Sequence, residues 1–294
     1  MNKNVTLDWG SPSYPWIAPA KINLFLHITG RREDGYHLLQ TIFHFLALHD
    51  TLYFEITPEP ALQLSPVIKN IANEDNIIIK AAKLLQSEFQ STPKGTKITL
   101  EKRLPMGGGL GGGSSDAATT LLALNKLWEL NLPKSRLAEL GLSLGADVPI
   151  FIHGHSAWAE GVGESLKTLS HEDIQQKNWF LVLFPQINVN TGVIFSSSEL
   201  TRDKLPIRIR DFLNGVSENV FEAVVADKYP EIREALDWLN QHANARLTGT
   251  GACLFASFDT EQEASKVADL APQKWQAFVT KGCYKTPTEY IYDN

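Results

Sequence analysis

The sequence predicts an α+β protein of two domains, on three observations. Period-two apolar stretches and helical repeats are mixed along the chain and do not alternate regularly, which favours α+β over a doubly wound parallel sheet. At 294 residues the chain is above the usual single-domain size, which leaves one domain or two open on length alone. A fresh strand pattern also begins after "HGHSAWAEGVGE". That places a boundary near residue 160, with one domain over 1–160 and another over 161–294.

Each element rests on its own stretch. In "AKINLFLHITG", Ile22, Leu24, Leu26 and Ile28 alternate with Lys21, Asn23, Phe25 and His27, the period of a strand. His27 is expected to be exposed on it. Asp34-Gly35 is a turn signal, followed by a second apolar segment, "LLQTIFHFLAL", and a further strand, "DTLYFEI". In "NEDNIIIKAAKLLQSEF", Ile77, Ile78, Ala81, Leu84, Leu85 and Phe89 recur at helical spacing, with Asn73 or Asp75 as cap. "TKITLEKRL" reads as a strand, "DAATTLLALNKLWEL" as a strong helix, and "PKSRLAELGLSLG" as a helix started by Pro133. "ADVPIFI" reads as a turn or short strand. In the second half "NWFLVLF" is a strand, "YPEIREALDWLNQH" a helix, and "RLTGTGACLFASF" a glycine turn feeding a strand. "TEQEASKVADLA" is a helix and "WQAFVTKG" the last strand.

Composition narrows the function classes. A net charge of −6 argues against a protein that grips nucleic acid with its whole surface. The small basic cluster Arg202, Lys204, Arg208 and Arg210 reads as a solvated face. Two distant cysteines, Cys253 and Cys283, match no zinc or redox spacing. The N-terminus lacks an apolar signal core, and no run approaches the length of a membrane span. A reduced cytoplasmic protein is expected, with no nucleic acid, membrane or obligate protein partner.

One stretch stands out. "PMGGGLGGGSSD" carries six glycines in the seven positions from Gly107 to Gly113, between a strand pattern and a strong helix. Ordering so many glycines is entropically costly. Bare backbone there lets several N–H groups converge on an anion, helped by the positive end of the next helix. Ser114 and Ser115 stand where that helix begins, so a hydroxyl can cap it, touch a phosphate or reach a metal ion. A flexible linker would carry scattered Ser, Pro and charge instead. No lysine follows Gly113, which excludes a standard P-loop. A dinucleotide fingerprint is present as Gly107-x-Gly109-x-x-Gly112, but the acidic strand end it needs about 20 residues on is missing.

The loop, with "PAKINLFLHI" upstream and "LTGTGACLFA" downstream, resembles the three ordered motifs of the GHMP small-molecule kinases. Four longer stretches resemble the branch of that superfamily that phosphorylates 4-diphosphocytidyl-2-C-methyl-D-erythritol. They are "APAKINLFLHITGRREDGYHLLQT", "KRLPMGGGLGGGSSDAA", "LGADVPIFIHGHSAWAEGVGE" and "RLTGTGACLFASF", and they span Pro19 to Gly282 in order. The resemblance implies a two-domain α+β GHMP kinase fold with the active site in the interdomain cleft. It also implies transfer of the ATP γ-phosphate to the 2-hydroxyl of that polyol, with Mg²⁺, in non-mevalonate isoprenoid precursor synthesis.

Site residues carry over motif by motif. Taken alone, Lys21 on a half-buried strand reads as a solvated edge residue and Asp147, just before Val-Pro, as a turn or cap residue. The resemblance makes them the catalytic pair. Asp147 is then the general base or, beside a cation that favours its charged form, chiefly the group that orients the hydroxyl. For ATP it implies the loop Pro105, Met106, Gly107, Gly108, Gly109, Leu110, Gly111, Gly112 and Gly113, with Ser114, Ser115 and, at the adenine, Asn76. Gly249 and Gly251 would back that loop, though they serve equally as a tight turn. For the acceptor substrate it implies Asn23, Thr191 and a base pocket of Tyr36, His37 and Phe195. Tyr36 and Phe195 would sandwich the base while His37 bonds its edge. Gly192 stands where the family pattern has a proline. Ser114 or Ser115 can offer Mg²⁺ a hydroxyl, and Glu160 and Glu164 are the acidic candidates. No protein metal ligand is assigned, since ATP and water can hold the ion.

Rival readings are a mevalonate- or homoserine-type kinase, a silent nucleotide-binding regulator and an NAD-dependent oxidoreductase. "EDGYH" and Phe195 favour a base-bearing substrate, and a sensor would not need both Lys21 and Asp147.

Overall fold

Residues 8–68, 71–88, 94–174 and 177–289 are described in a computed structural model of the chain. Two long strands form its spine. β1 (Trp16–Arg31) and β2 (His37–Thr57) are antiparallel around the Asp34-Gly35 turn, with register shifts at Pro19/Ala20, Asn23/Leu26 and Ile28/Gly30. The predicted "LLQTIFHFLAL" and "DTLYFEI" are thus one strand. The polar junction at His49-Asp50 is no break, because the Asp50 carboxylate is buried against Arg103 N and Leu104 N. Both faces of β1 are covered, so His27 is 1% exposed, contrary to expectation. Alternation shows that a strand has two faces; it does not show which is open.

β3 (Leu62–Ser65) precedes α1 (Ile77–Gln86). The α1 cap is neither Asn73 nor Asp75, which sit in a short 3₁₀ turn. Asn76 caps it, accepting from Ile78 N at 2.9 Å. Phe89, assigned to this helix from sequence, lies outside the described residues. β4 (Gly95–Glu101) then runs into the glycine loop and α2 (Gly112–Leu127). α3 (Lys134–Leu144) begins after Pro133 as expected. "ADVPIFI" is helical, not a turn or strand: α4 (Val148–His153) follows Asp147 with Pro149 in its first turn, where a missing N–H costs nothing.

β5 (Ala157–Glu160) and β6 (Ser165–Thr168) form a hairpin on β2, and α5 (His171–Ile174) leads to β7 (Trp179–Phe184). The short helices α6 (Thr191–Phe195), α7 (Ile209–Leu213) and α8 (Glu222–Lys228) precede α9 (Pro230–Asn240). β8 (Arg246–Leu247), β9 (Leu254–Phe258), α10 (Glu261–Ala268) and β10 (Gln276–Cys283) complete the chain. All ten described strands join one network, in which the path β3-β4-β2-β10-β7-β9-β8 is mostly antiparallel. Mixed order with helices on its faces is an α+β architecture, as predicted.

Three apolar clusters hold it together. One packs α1, α2, α3 and α4 on residues between Trp16 and Ala159. A second joins Leu181 through Trp275 with Leu26 and Ile28 of β1, and the third, around Phe25, Leu46, Phe180 and Phe255, draws on both halves. β1 is therefore anchored on both sides, which fixes the residues it presents to the cavity described next. Among the described residues no helix is long and apolar enough to cross a membrane.

Candidate active site

A cavity of about 710 Å³ opens between β1, the glycine loop, the α4 start and the α6 region. Its centre is Lys21. This side chain is 3% exposed, and its ammonium donates to Asn23 Oδ1 at 2.9 Å and Gly109 O at 3.1 Å. It lies 3.2 Å from Asp147 Oδ2 and 5.4 Å from the Phe43 ring centroid. A buried ammonium needs such partners to stay charged. Asn23 is held in turn, its amide donating to Thr41 Oγ1 at 2.9 Å while its backbone N–H reaches Thr248 Oγ1 at 3.1 Å. The Thr41 hydroxyl donates to Phe25 O. Asp147 is the half-exposed member, just before α4, so its carboxylate is supported on one side and open on the other.

Backbone shape explains much of the glycine loop. Gly109 has φ +76°, and a side chain there would meet Thr248 O at 2.3 Å. Gly111, at φ +72°, is the N-cap of α2, and a side chain would strike Phe151 and Lys21. Ala252 N and Cys253 N donate to Gly107 O and Gly108 O, so the "LTGTGA" turn does back the loop. Gly113 meets only Ile77 Cγ2 at 3.9 Å and has open space before it. The helix begins earlier than expected, at Gly112, so neither serine caps it. Ser114 lines the cavity; Ser115 is fully buried behind it, and its hydroxyl has no hydrogen-bond partner among the described residues.

Beside the loop lies a buried charge triad that sequence reading missed. Lys102 Nζ bridges Asp50 Oδ2 at 2.6 Å and Asp116 Oδ2 at 2.8 Å. Burial pushes Lys102 down, but the two carboxylates outweigh it and hold it above its usual value. Burial raises Asp116, against the pull of Lys102. Lys102 and Asp116 flank the loop in sequence, one before and one after, and that symmetry was the available signal.

The predicted site residues divide into those the cavity brings together and those it does not. Lys21, Asn23, Asn76, Asp147, Thr191, Phe195 and all of Pro105 to Ser114 line it. Asn76 spends its carbonyl oxygen on the α1 cap, and Thr191 Oγ1 lies 3.0 Å from Thr250 Oγ1. Tyr36 is 65% exposed and outside the lining. The His37 ring packs tilted against Phe195, at 5.0 Å and 41°, and Phe195 itself packs edge-on against Phe221. Glu160 accepts from Gln40 and Trp158, and Glu164 from Val162 N; neither reaches the cavity. Arg202, read as part of a solvated cluster, instead donates to Phe195 O, Ser197 O and Leu200 O.

Comparisons with known proteins identify the family. Residues 76–155 match the GHMP kinases N terminal domain and residues 200–277 the GHMP kinases C terminal family model. A 4-diphosphocytidyl-2-C-methyl-D-erythritol kinase of Marinobacter nauticus is 51% identical over 274 residues, covering 92% of this chain and 94% of the relative. That of Pseudomonas aeruginosa is 53% identical over 265 residues, covering 90% and 92%. The crystal structure of a 4-(cytidine 5'-diphospho)-2C-methyl-D-erythritol kinase superposes with a TM-score of 0.79 at 31% identity, covering 91% of this chain and 98% of that one. A mevalonate kinase, at 16% identity and TM-score 0.65, shares the fold. With walls supplied by both matched domains and relatives alike over nine-tenths of its length, the chain belongs to the 4-diphosphocytidyl-2-C-methyl-D-erythritol kinase family of the GHMP kinases.

Proposed function

We propose that the protein is an ATP-dependent kinase that phosphorylates the 2-hydroxyl of 4-diphosphocytidyl-2-C-methyl-D-erythritol, a step in non-mevalonate isoprenoid precursor synthesis. The observation that carries the reading is the Lys21–Asp147 pair set 3.2 Å apart against the glycine loop. Phosphoryl transfer needs a positioned hydroxyl, an acceptor for its proton, and positive charge near the moving group. Asp147 receives the hydroxyl hydrogen bond and then its proton as the oxygen bonds to the γ-phosphorus and the bond to the β-phosphate oxygen breaks, releasing ADP. Lys21 keeps Asp147 oriented and adds charge beside the transferring phosphoryl.

The N–H groups from Gly107 to Gly113 and the start of α2 receive the nucleotide phosphates, where open space at Gly113 allows close approach. Asn76 sits at the adenine end. Mg²⁺ bound with the ATP would meet the Ser114 hydroxyl on the cavity wall. The ion supplies charge neutralisation to the triphosphate. Asn23 and Thr191 contact the polyol, and Tyr36, His37 and Phe195 receive the cytosine. The same reading places the enzyme in the cytoplasm and divides the chain near residue 160.

The test is ADP release with ATP, Mg²⁺ and 4-diphosphocytidyl-2-C-methyl-D-erythritol, run beside mevalonate and homoserine. Turnover of the cytidine substrate alone is expected. Equal turnover of mevalonate or homoserine would overturn the substrate assignment, and ATP binding without any turnover would point to a regulator.

A further inference from the structure

Arg202 stands far from His37 in sequence and is bound to it in space. Its Nη2 donates to Phe195 O at 2.7 Å and Ser197 O at 2.8 Å, and its Nη1 to Leu200 O at 3.0 Å. Its Nε lies 3.3 Å from His37 Nε2. A guanidinium has donors only and stays protonated, so the direction of that last bond is fixed. Nε2 must offer its lone pair, and the one proton of the neutral imidazole then sits on Nδ1. No hydrogen bond to Nδ1 is formed among the described residues.

Two further observations keep the ring in that state. Burial, and then the charges of Arg202 and Arg31, lower the His37 pKa, so the imidazole stays neutral near pH 7. The ring also packs tilted against Phe195, whose carbonyl the same guanidinium holds, and Phe195 rests on Phe221. One side chain therefore ties the backbone of one ring to the proton position of the other.

We propose that Arg202 is a positioning residue for base recognition, fixing His37 as the Nδ1–H tautomer so that it donates to an acceptor on the edge of a pyrimidine. The inference rests on the cytidine-substrate reading above. An unconstrained histidine can present either a donor or a lone pair at that position, and a site that presents both weakens its own discrimination. With Nδ1–H fixed, the ring nitrogen of cytosine that carries a lone pair is accepted, and the corresponding N–H of uracil meets another donor.

The test is the ¹⁵N–¹H spectrum of the histidine rings in the wild-type enzyme and in Arg202→Gln, with His37 assigned by the peak lost in His37→Gln. The expected wild-type pattern has the proton on Nδ1 and a bare Nε2. In Arg202→Gln the proton should move mainly to Nε2, with KM for the cytidine substrate rising about tenfold, the scale of one hydrogen bond. KM for ATP should stay within about twofold, because the glycine loop is untouched. A wild-type His37 protonated on Nε2, or a variant that keeps the Nδ1–H form, would overturn the proposal. If Arg202→Gln does not fold, the wild-type spectrum decides alone. Failure of the wild type to phosphorylate the cytidine substrate would sink the substrate reading instead, since the tautomer is read without any ligand.

Discussion

The Lys21 and Tyr36 ends of the candidate site are built differently. At the Lys21 end, the functional groups come from the long strand β1 and from a backbone loop, and the supporting bonds are buried: Asn23 to Thr41, Thr248 to the Asn23 N–H, Ala252 and Cys253 to the loop carbonyls. At the Tyr36 end, the groups sit at the start of β2 and on the five-residue α6, held by an arginine from a loop, with Tyr36 largely in solvent. On the proposed reading, chemistry falls among buried, mutually bonded groups and base recognition among more exposed ones. The first end should govern kcat and the second KM.

The largest test of that division is Asp147→Asn. It keeps the shape and removes the proton acceptor, so kcat should fall on the order of 10³-fold, while binding of a non-hydrolysable ATP analogue, followed by calorimetry, survives. Strong residual turnover would remove Asp147 from the mechanism. Next comes a pair of glycine substitutions. Gly109→Ala forces a side chain to within 2.3 Å of Thr248 O at positive φ and should cost about 1–3 kcal/mol of stability together with ATP affinity. Gly113→Ala has open space and should leave the melting temperature unchanged while weakening ATP. Equal melting losses in both would mean the loop is shaped by packing alone.

At the other end, Tyr36→Ala should raise KM for the cytidine substrate by about 5- to 100-fold, the range of one lost stacking contact, with ATP kinetics unchanged. Equal effects on both substrates would misplace the base pocket. The smallest effect on activity belongs to the frame between the ends. Burial, and then His171, lower the His44 pKa to about 3, and its Nδ1 is 3.1 Å from Ser156 Oγ. Between about pH 6.5 and pH 3 the unfolded chain takes up a proton that the folded one refuses. The His44 contribution is thus full above pH 6.5 and is lost as pH falls, by up to about 1.4 kcal/mol per unit. His27 and His153, also lowered mainly by burial, add to the slope. His44→Gln should flatten the acid loss of stability measured by chemical denaturation and leave kcat near its wild-type value at pH 7.5.

The same contrast explains what could be read from the chain. Lys21, the glycine loop and Asp147 lie in long local motifs, and their setting between strand and helix is itself a sequence pattern. α2 and α9 were legible through their period, and the first strand through its alternation. What escaped was decided by partners distant in sequence. Arg202 lies 165 residues from His37, and nothing nearby separates it from the exposed Arg208. Asp50 shows no role in its local stretch until Lys102 and the Arg103 N–H are brought to it. α4, with six residues, is too short for a period to show, and Pro149 in its first turn mimics a turn signal. His27 was misread because alternation cannot tell that a second layer will cover the other face.

The most direct test of the two-ended account is steady-state kinetics of Asp147→Asn and His37→Gln in one assay, varying ATP and the cytidine substrate in turn. For the first, kcat should collapse with KM nearly unchanged, and for the second the cytidine-substrate KM should rise with kcat nearly unchanged. A fall in kcat of similar size in both variants would contradict it.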